Sequence, residues 1–205
     1  MKDYQSLIGL LNKKRFKSSF FEDSESAKAH VMELIRDCDT IGFGGSMTLN
    51  ETGIFDAVIN SGKQVYATVL EKQKANPDIP ETWKNATFSD CFITSTNALT
   101  TQGDLVNIDA NGNRVGPMFF GPKSVIVVCG VNKIVEDPMQ AVARIQSTAA
   151  PKNTVRLGLA TPCAVTGKCE DCSSPQRICN VVVRIQYPPR PIDIHIVLIN
   201  EELGY

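Results

Sequence analysis

Thr40-Ile41-Gly42-Phe43-Gly44-Gly45-Ser46-Met47-Thr48-Leu49-Asn50 is the stretch on which the reading of the fold turns. Thr40–Phe43 has the apolar, β-branched character of a buried strand, and it runs directly into two glycines and the start of a helix. A strand that ends in a glycine turn before a helix is the opening move of an α/β unit. The backbone amides of Gly44 and Gly45, with the hydroxyls of Ser46 and Thr48, then form a candidate cradle for an anion. The third glycine of a dinucleotide fingerprint and the Gly-Lys-Ser/Thr of a P-loop are both missing, so these residues equally describe a tight turn with no guest. Glu51 follows one helical turn later.

Outward from this stretch the same alternation continues. Upstream, apolar spacing predicts a helix over Tyr4–Phe16, a short run Ser18–Phe21, and a helix Glu25–Cys38 capped by Ser24. Downstream, a short helix spans Leu49–Asn60 and strands are expected at Gln64–Leu70, Asp90–Thr94 and Ser124–Cys129, with loop and short helix over Lys72–Asn85. Leu105–Val115 reads as a hairpin around Ala110-Asn111-Gly112-Asn113, because Asn-Gly supplies the positive φ such turns need. Asp137-Pro138 caps and begins a helix to about Ala149. The chain closes with the β-branched runs Val181–Gln186 and Ile192–Asn200 around a proline-rich loop. Strands alternating with helices predict a largely parallel sheet covered on both faces, with its ligand crevice at the carboxyl ends of the strands.

The loop after the Asp90–Thr94 strand holds many hydroxyls and amides. Asn97, Asp104, Asn107 and Asn113 suit the orientation of a polar small molecule, although ordinary Asx turns have the same composition. Neither histidine has a nucleophile in register with it.

Four of the seven cysteines crowd into Cys163-x5-Cys169-x2-Cys172-x6-Cys179, while Cys38, Cys91 and Cys129 sit in or beside apolar runs. In a reducing compartment such crowding signals a metal centre before it signals disulfides. The Cys-x-x-Cys pair chelates from a tight turn, and Gly167 and Pro175 bend the loop so that two further sulfurs return. Four thiolates suit either an iron–sulfur cluster, most naturally 4Fe–4S, or a tetrahedral zinc. A single Cys-x-x-Cys, with Arg177 and Lys168 to offset negative charge, leans towards iron–sulfur. A bare dithiol redox pair, Cys169 and Cys172, is a third reading, disfavoured by the acidic Glu170 and Asp171 between them.

With 21 basic and 22 acidic residues in 205 the formal charge is -1, so no field for nucleic acid or a membrane surface is built in. No apolar run approaches the roughly 20 residues of a membrane span. These features predict a cytoplasmic protein whose partner is a small anionic metabolite, and they leave room for redox partner subunits and for a homo-oligomer.

The segments GFGGSMTLNETG (42–53), STNALTTQGDLVNIDANGNRVG (95–116) and FGPKSVIVVCGVNKIV (120–135), with AVARI (141–145), in this order resemble the LUD or lactate-utilisation family along nearly the whole chain. The resemblance implies one LUD domain over 1–205 with a cysteine-rich metal-binding segment at 161–180. It also implies the three-layer α/β/α Rossmann-like sandwich, with a mostly parallel sheet, of the sugar-isomerase and CoA-transferase-like superfamily. In that superfamily Gly44, Gly45, Ser46 and Thr48 match an anion-binding turn, and Asn97, Asp104, Asn107 and Asn113 fall in a second crevice-lining segment. The cysteines depart from the pattern by lying inside the LUD domain rather than in a separate ferredoxin-like region. The expected function is an electron-transfer component in oxidation of lactate or a related 2-hydroxy acid. The alternative is an isomerase- or transferase-like enzyme acting on a sugar phosphate or acyl-CoA, with a structural zinc, and a redox-responsive sensor is a third possibility.

Overall fold

A computed structural model describes residues 4–67 and 80–205. Its centre is a six-stranded sheet, every neighbouring pair parallel, in the order β1 (Lys17–Phe21), β10 (Asp193–Ile199), β7 (Ser124–Gly130), β4 (Cys91–Ser95), β2 (Thr40–Phe43), β3 (Gln64–Ala67). Parallel strands need crossovers, and the intervening helices supply them. Along β7, Val125, Val127 and Cys129 point to one face and Ile126 and Val128 to the other; all five are buried because both faces are covered.

On one face lie α2 (Ser24–Leu34), α3 (Met47–Glu51) and α4 (Ile54–Ile59), which bury Val31, Leu49 and Val58 with Ile41 and Ile93. On the other lie α1 (Tyr4–Lys13) and α5 (Glu81–Thr87), with Leu11 and Ala86 against Phe92, Val127 and Ile196. Together these are the three layers α/β/α.

A second, four-stranded sheet lies beside α1 in the order β8 (Ile134–Val135), β5 (Ala98–Thr100), β6 (Leu105–Asp109), β9 (Val181–Ile185). Leu99 and Leu105 pack into the main core. Ala98 and Val106, one residue away on the opposite face, pack under α6 (Pro138–Arg144) and the π-helical turn Ile145–Ala149. Pro151 accounts for that wide turn: it brings no N–H, and its ring would collide with the carbonyl of Ser147 in an ordinary helix. The chain therefore continues past Ala149 into α7 (Ala150–Arg156) and then α8 (Pro162–Thr166).

Four sequence expectations change. Asp23, not Ser24, caps α2, its carboxylate accepting from the Ser26 N–H at 2.7 Å. Ser18–Phe21 belongs to an edge strand. The hairpin is β5–β6, turning at Thr101–Asp104 with Gly103 at φ +78°, whereas Gly112, at φ +84°, leads into a 3-10 turn (Gly116–Met118) instead of a returning strand. The helix after Pro138 runs beyond Ala149. Thr68–Leu70 and Lys72–Ile79, part of the expected strand and loop, lie outside the described residues.

Candidate functional site

The carboxyl ends of β2, β4 and β7 open on one cavity of about 220 Å3. Gly45 and Ser46 enter it from the end of β2, Ser95 and Asn97 from β4, and Lys133 from β7. Asn113 and Arg114 come from the loop after β6, and Ala149, Asn153 and Arg156 from the π turn and α7. This is where an open parallel sheet places its ligand, because side chains from successive crossovers converge there.

Arg114 organises one wall. Its guanidinium donates to Asn107 Oδ1 at 2.7 Å, to Asn97 Oδ1 at 3.0 Å and to the Ile108 carbonyl at 2.9 Å, and it stands 3.5 Å from Asp109. Burial holds its pKa below the usual arginine value, with Asp109 opposing that shift. Gly44 is the counterpart of this packing: a Cβ there would lie 2.6 Å from Thr94 Oγ1 and 2.7 Å from Arg114 Cγ. The glycine lets the strand end meet the arginine.

Lys133 sits deeper and is 2% exposed. Its ammonium donates to Thr48 Oγ1 at 2.7 Å and to Ser95 Oγ at 2.9 Å. Burial pulls its pKa down to about 8; the Cys129 thiol opposes that shift, while Arg144 and Arg114 add to it. Arg144 is anchored on the Asn97 and Asn132 carbonyls.

Of the eight residues expected at the anion site, Gly45, Ser46, Asn97 and Asn113 line the cavity. Three stand behind it: Gly44 under Arg114, Thr48 under Lys133, and Asn107 holding Arg114 and the Asn97 N–H. The Gly44 N–H is already spent on the Ile93 carbonyl, and Ser46 Oγ caps α3 by accepting from the Leu49 N–H. Asp104 lies elsewhere, 1% exposed in the β5–β6 turn between Lys14 at 2.7 Å and Arg184 at 2.6 Å. Lys133, Arg114 and Arg156 escaped the sequence reading, although Lys133 sits just past the cleanest buried strand, where the crevice rule points.

The four clustered cysteines line a second, smaller space of about 20 Å3. Cys163, on α8, is buried, with its sulfur 3.3 Å from Thr161 Oγ1 and 3.6 Å from Thr154 Oγ1. Between Cys169 and Cys172 the backbone turns through Asp171 at φ +45°, whose N–H donates to Cys169 Sγ at 3.4 Å. Asp is one of the few side chains that tolerate that conformation. Arg177 ties the loop together by donating to the carbonyls of Cys172 and Cys179 and pairing with Asp171 at 2.8 Å. Burial, and then the charges of Cys169, Cys163 and Cys172, push the Cys179 thiol pKa up. Among the described residues no three His, Cys, Asp or Glu side chains stand ready to hold a metal ion. The donor set fits a thiolate-bound centre in kind, four sulfurs around one space, and metal binding would have to complete the enclosure. Cys179, Ile178 and Ala150 line both cavities, so the two are neighbours sharing one wall.

No helix among the described residues is long and apolar enough to cross a membrane. No curated protein matches the chain. A crystal structure of a DUF162 family protein from Deinococcus radiodurans superimposes with a TM-score of 0.55 at 9% identity, covering 97% of this chain and 99% of that one. At that identity the likeness concerns the fold. The family model of the LUD domain matches residues 4–199, and the chain therefore belongs to the LUD domain, or lactate-utilisation, family.

Proposed function

We propose that this protein is a redox component in which Cys163, Cys169, Cys172 and Cys179 hold an iron–sulfur cluster next to a cleft for a small 2-hydroxy acid such as lactate. The observation that carries the reading is the shared wall: Cys179 borders both the thiol-lined space and the cleft at the strand ends. A bound cluster supplies one-electron transfer. The chain's own residues do the rest. The Asp171 N–H stabilises negative charge on the Cys169 sulfur, Arg177 fixes the loop's carbonyls and offsets thiolate charge, and Arg114 with Asn97 and Asn107 sets the rigid wall of the cleft. At about 220 Å3 the cleft is smaller than the roughly 300–1,000 Å3 of sites for drug-sized ligands, which favours a small acid over an acyl-CoA.

The test is a visible-absorption redox titration of the full chain purified without oxygen, with and without lactate and pyruvate. The expected result is sulfide-to-iron charge-transfer absorption that dithionite bleaches, at a midpoint potential that moves when the acid is present. Protein with charge-transfer absorption but a potential indifferent to every 2-hydroxy and 2-oxo acid would separate the cluster from the cleft and defeat the reading.

A further inference from the structure

Lys133 is a buried cation with no carboxylate at ion-pair distance among the described residues. Its two hydrogen-bond partners are neutral hydroxyls. Thr48 Oγ1 donates to the Leu203 carbonyl at 3.3 Å and Ser95 Oγ to the Thr96 carbonyl at 3.4 Å, so both serve the lysine as acceptors. An ammonium carries three N–H groups, and this accounts for two. The remaining donor belongs to a residue on the cavity wall.

The surroundings increase the imbalance. Arg144 and Arg114 add positive charge near Lys133, and Glu51, whose charge partly offsets theirs, stands beyond ion-pair distance and accepts the Gly204 N–H at 2.6 Å. A buried charge whose direct hydrogen-bond partners are all neutral is costly unless an opposite charge arrives beside it. Arg114 cannot use such a charge in the same way, because its donors are taken by Asn97, Asn107, Ser95 and Ile108. Asn97 complements the lysine. Its Oδ1 accepts from Arg114 and from the Ile108 N–H at 3.0 Å, which fixes the amide and leaves Nδ2, on the same cavity wall, without an acceptor among the described residues.

We propose that Lys133 is the carboxylate anchor of the cleft: its third ammonium N–H, assisted by Asn97 Nδ2, binds the carboxylate of a small acid and supplies the counter-ion that the fold omits. The inference rests on the preceding reading for the acid being a 2-hydroxy acid, but the carboxylate itself is required by the lysine. Arg114 is then a positioning residue that aims Asn97.

The experiment is calorimetric titration of the full chain with lactate, glycolate and pyruvate, and with lactamide as the uncharged counterpart of lactate. At least one of the three acids should bind, lactamide should bind at least tenfold more weakly than lactate, and Lys133→Met should weaken acid binding at least tenfold while still melting cooperatively. Asn97→Asp, which keeps the Oδ1 acceptor and sets a negative charge on the wall, should weaken it similarly and serves if Lys133→Met does not fold. Failure of all three acids to bind, equal binding of lactamide and lactate, or unchanged affinity in the variant that folds would overturn the proposal. Acid binding to protein that holds no iron would leave the anchor standing and remove the redox reading, whereas a cluster whose potential shifts with these acids, in a protein whose Lys133→Met variant binds them unchanged, would do the reverse.

Discussion

Lys133 is positioned for binding at the expense of stability. A lysine's ordinary pKa is about 10.5, and here burial brings it to about 8. Between these values the unfolded chain binds more protons than the folded one, so this residue makes stability rise as pH climbs from about 8 to 10.5; below 8 its penalty is present in full. Lys133→Met should therefore stabilise the protein by about 1–3 kcal/mol at pH 7, a higher melting temperature whose advantage shrinks as pH approaches 10.5. A Met variant that melts lower at pH 7 would show that the lysine is already compensated. Because only the ammonium offers the anchor its charge, carboxylate affinity should also fall about tenfold per pH unit above 8. Ser46, Asn97 and Asn113 were legible in the sequence as polar residues just past strand ends. Lys133 and Arg114 were not, because a lone lysine or arginine in a sequence is by default a solvated surface charge, and only the fold shows which of them are buried.

Two elements test how the cleft wall is held. Gly44→Ala would press a methyl group against Arg114 and Thr94, and because both sides are packed it should cost about 1–3 kcal/mol in a urea melt while loosening Arg114. Asp104 stitches α1 to the β5–β6 turn and β9 through Lys14 and Arg184, so Asp104→Ala should lower stability by roughly 2 kcal/mol without affecting acid binding. A binding defect in that variant would bring Asp104 back to the site, where the sequence alone had put it. The misplaced hairpin has a plain cause. Gly103 and Gly112 both adopt positive φ, and Asn-Gly is the stronger local signal, but Ala98–Thr100 is a three-residue strand amid hydroxyls and amides. Its pairing is set by burial of Leu99 against α1 and Ala98 under α6, which no local pattern displays. The helix that starts at Pro138 passes Ala149 because a π turn absorbs Pro151.

The whole molecule was legible where its periodicity was long and regular. Alternation of Thr40–Phe43, Asp90–Thr94 and Ser124–Cys129 with helical spacing implies a doubly covered parallel sheet, and the crevice rule then points to the ends of β2, β4 and β7, where the cavity opens. The second sheet was hidden because β5 and β8 are too short to register and β9 is an exposed edge. The cysteine cluster was legible as a cluster, but its neighbourhood with the cleft was not, since Cys179 and Ser46 are brought together only through α7 and the small sheet. On that neighbourhood rests the proposal of a thiolate-bound redox group beside a site for a small acid. Quantification of iron, zinc and acid-labile sulfide in the full chain purified without oxygen tests it most directly. Iron and sulfide in comparable amounts, both lost in Cys169→Ser, are the predicted result; zinc without sulfide, or no metal at all, would contradict it.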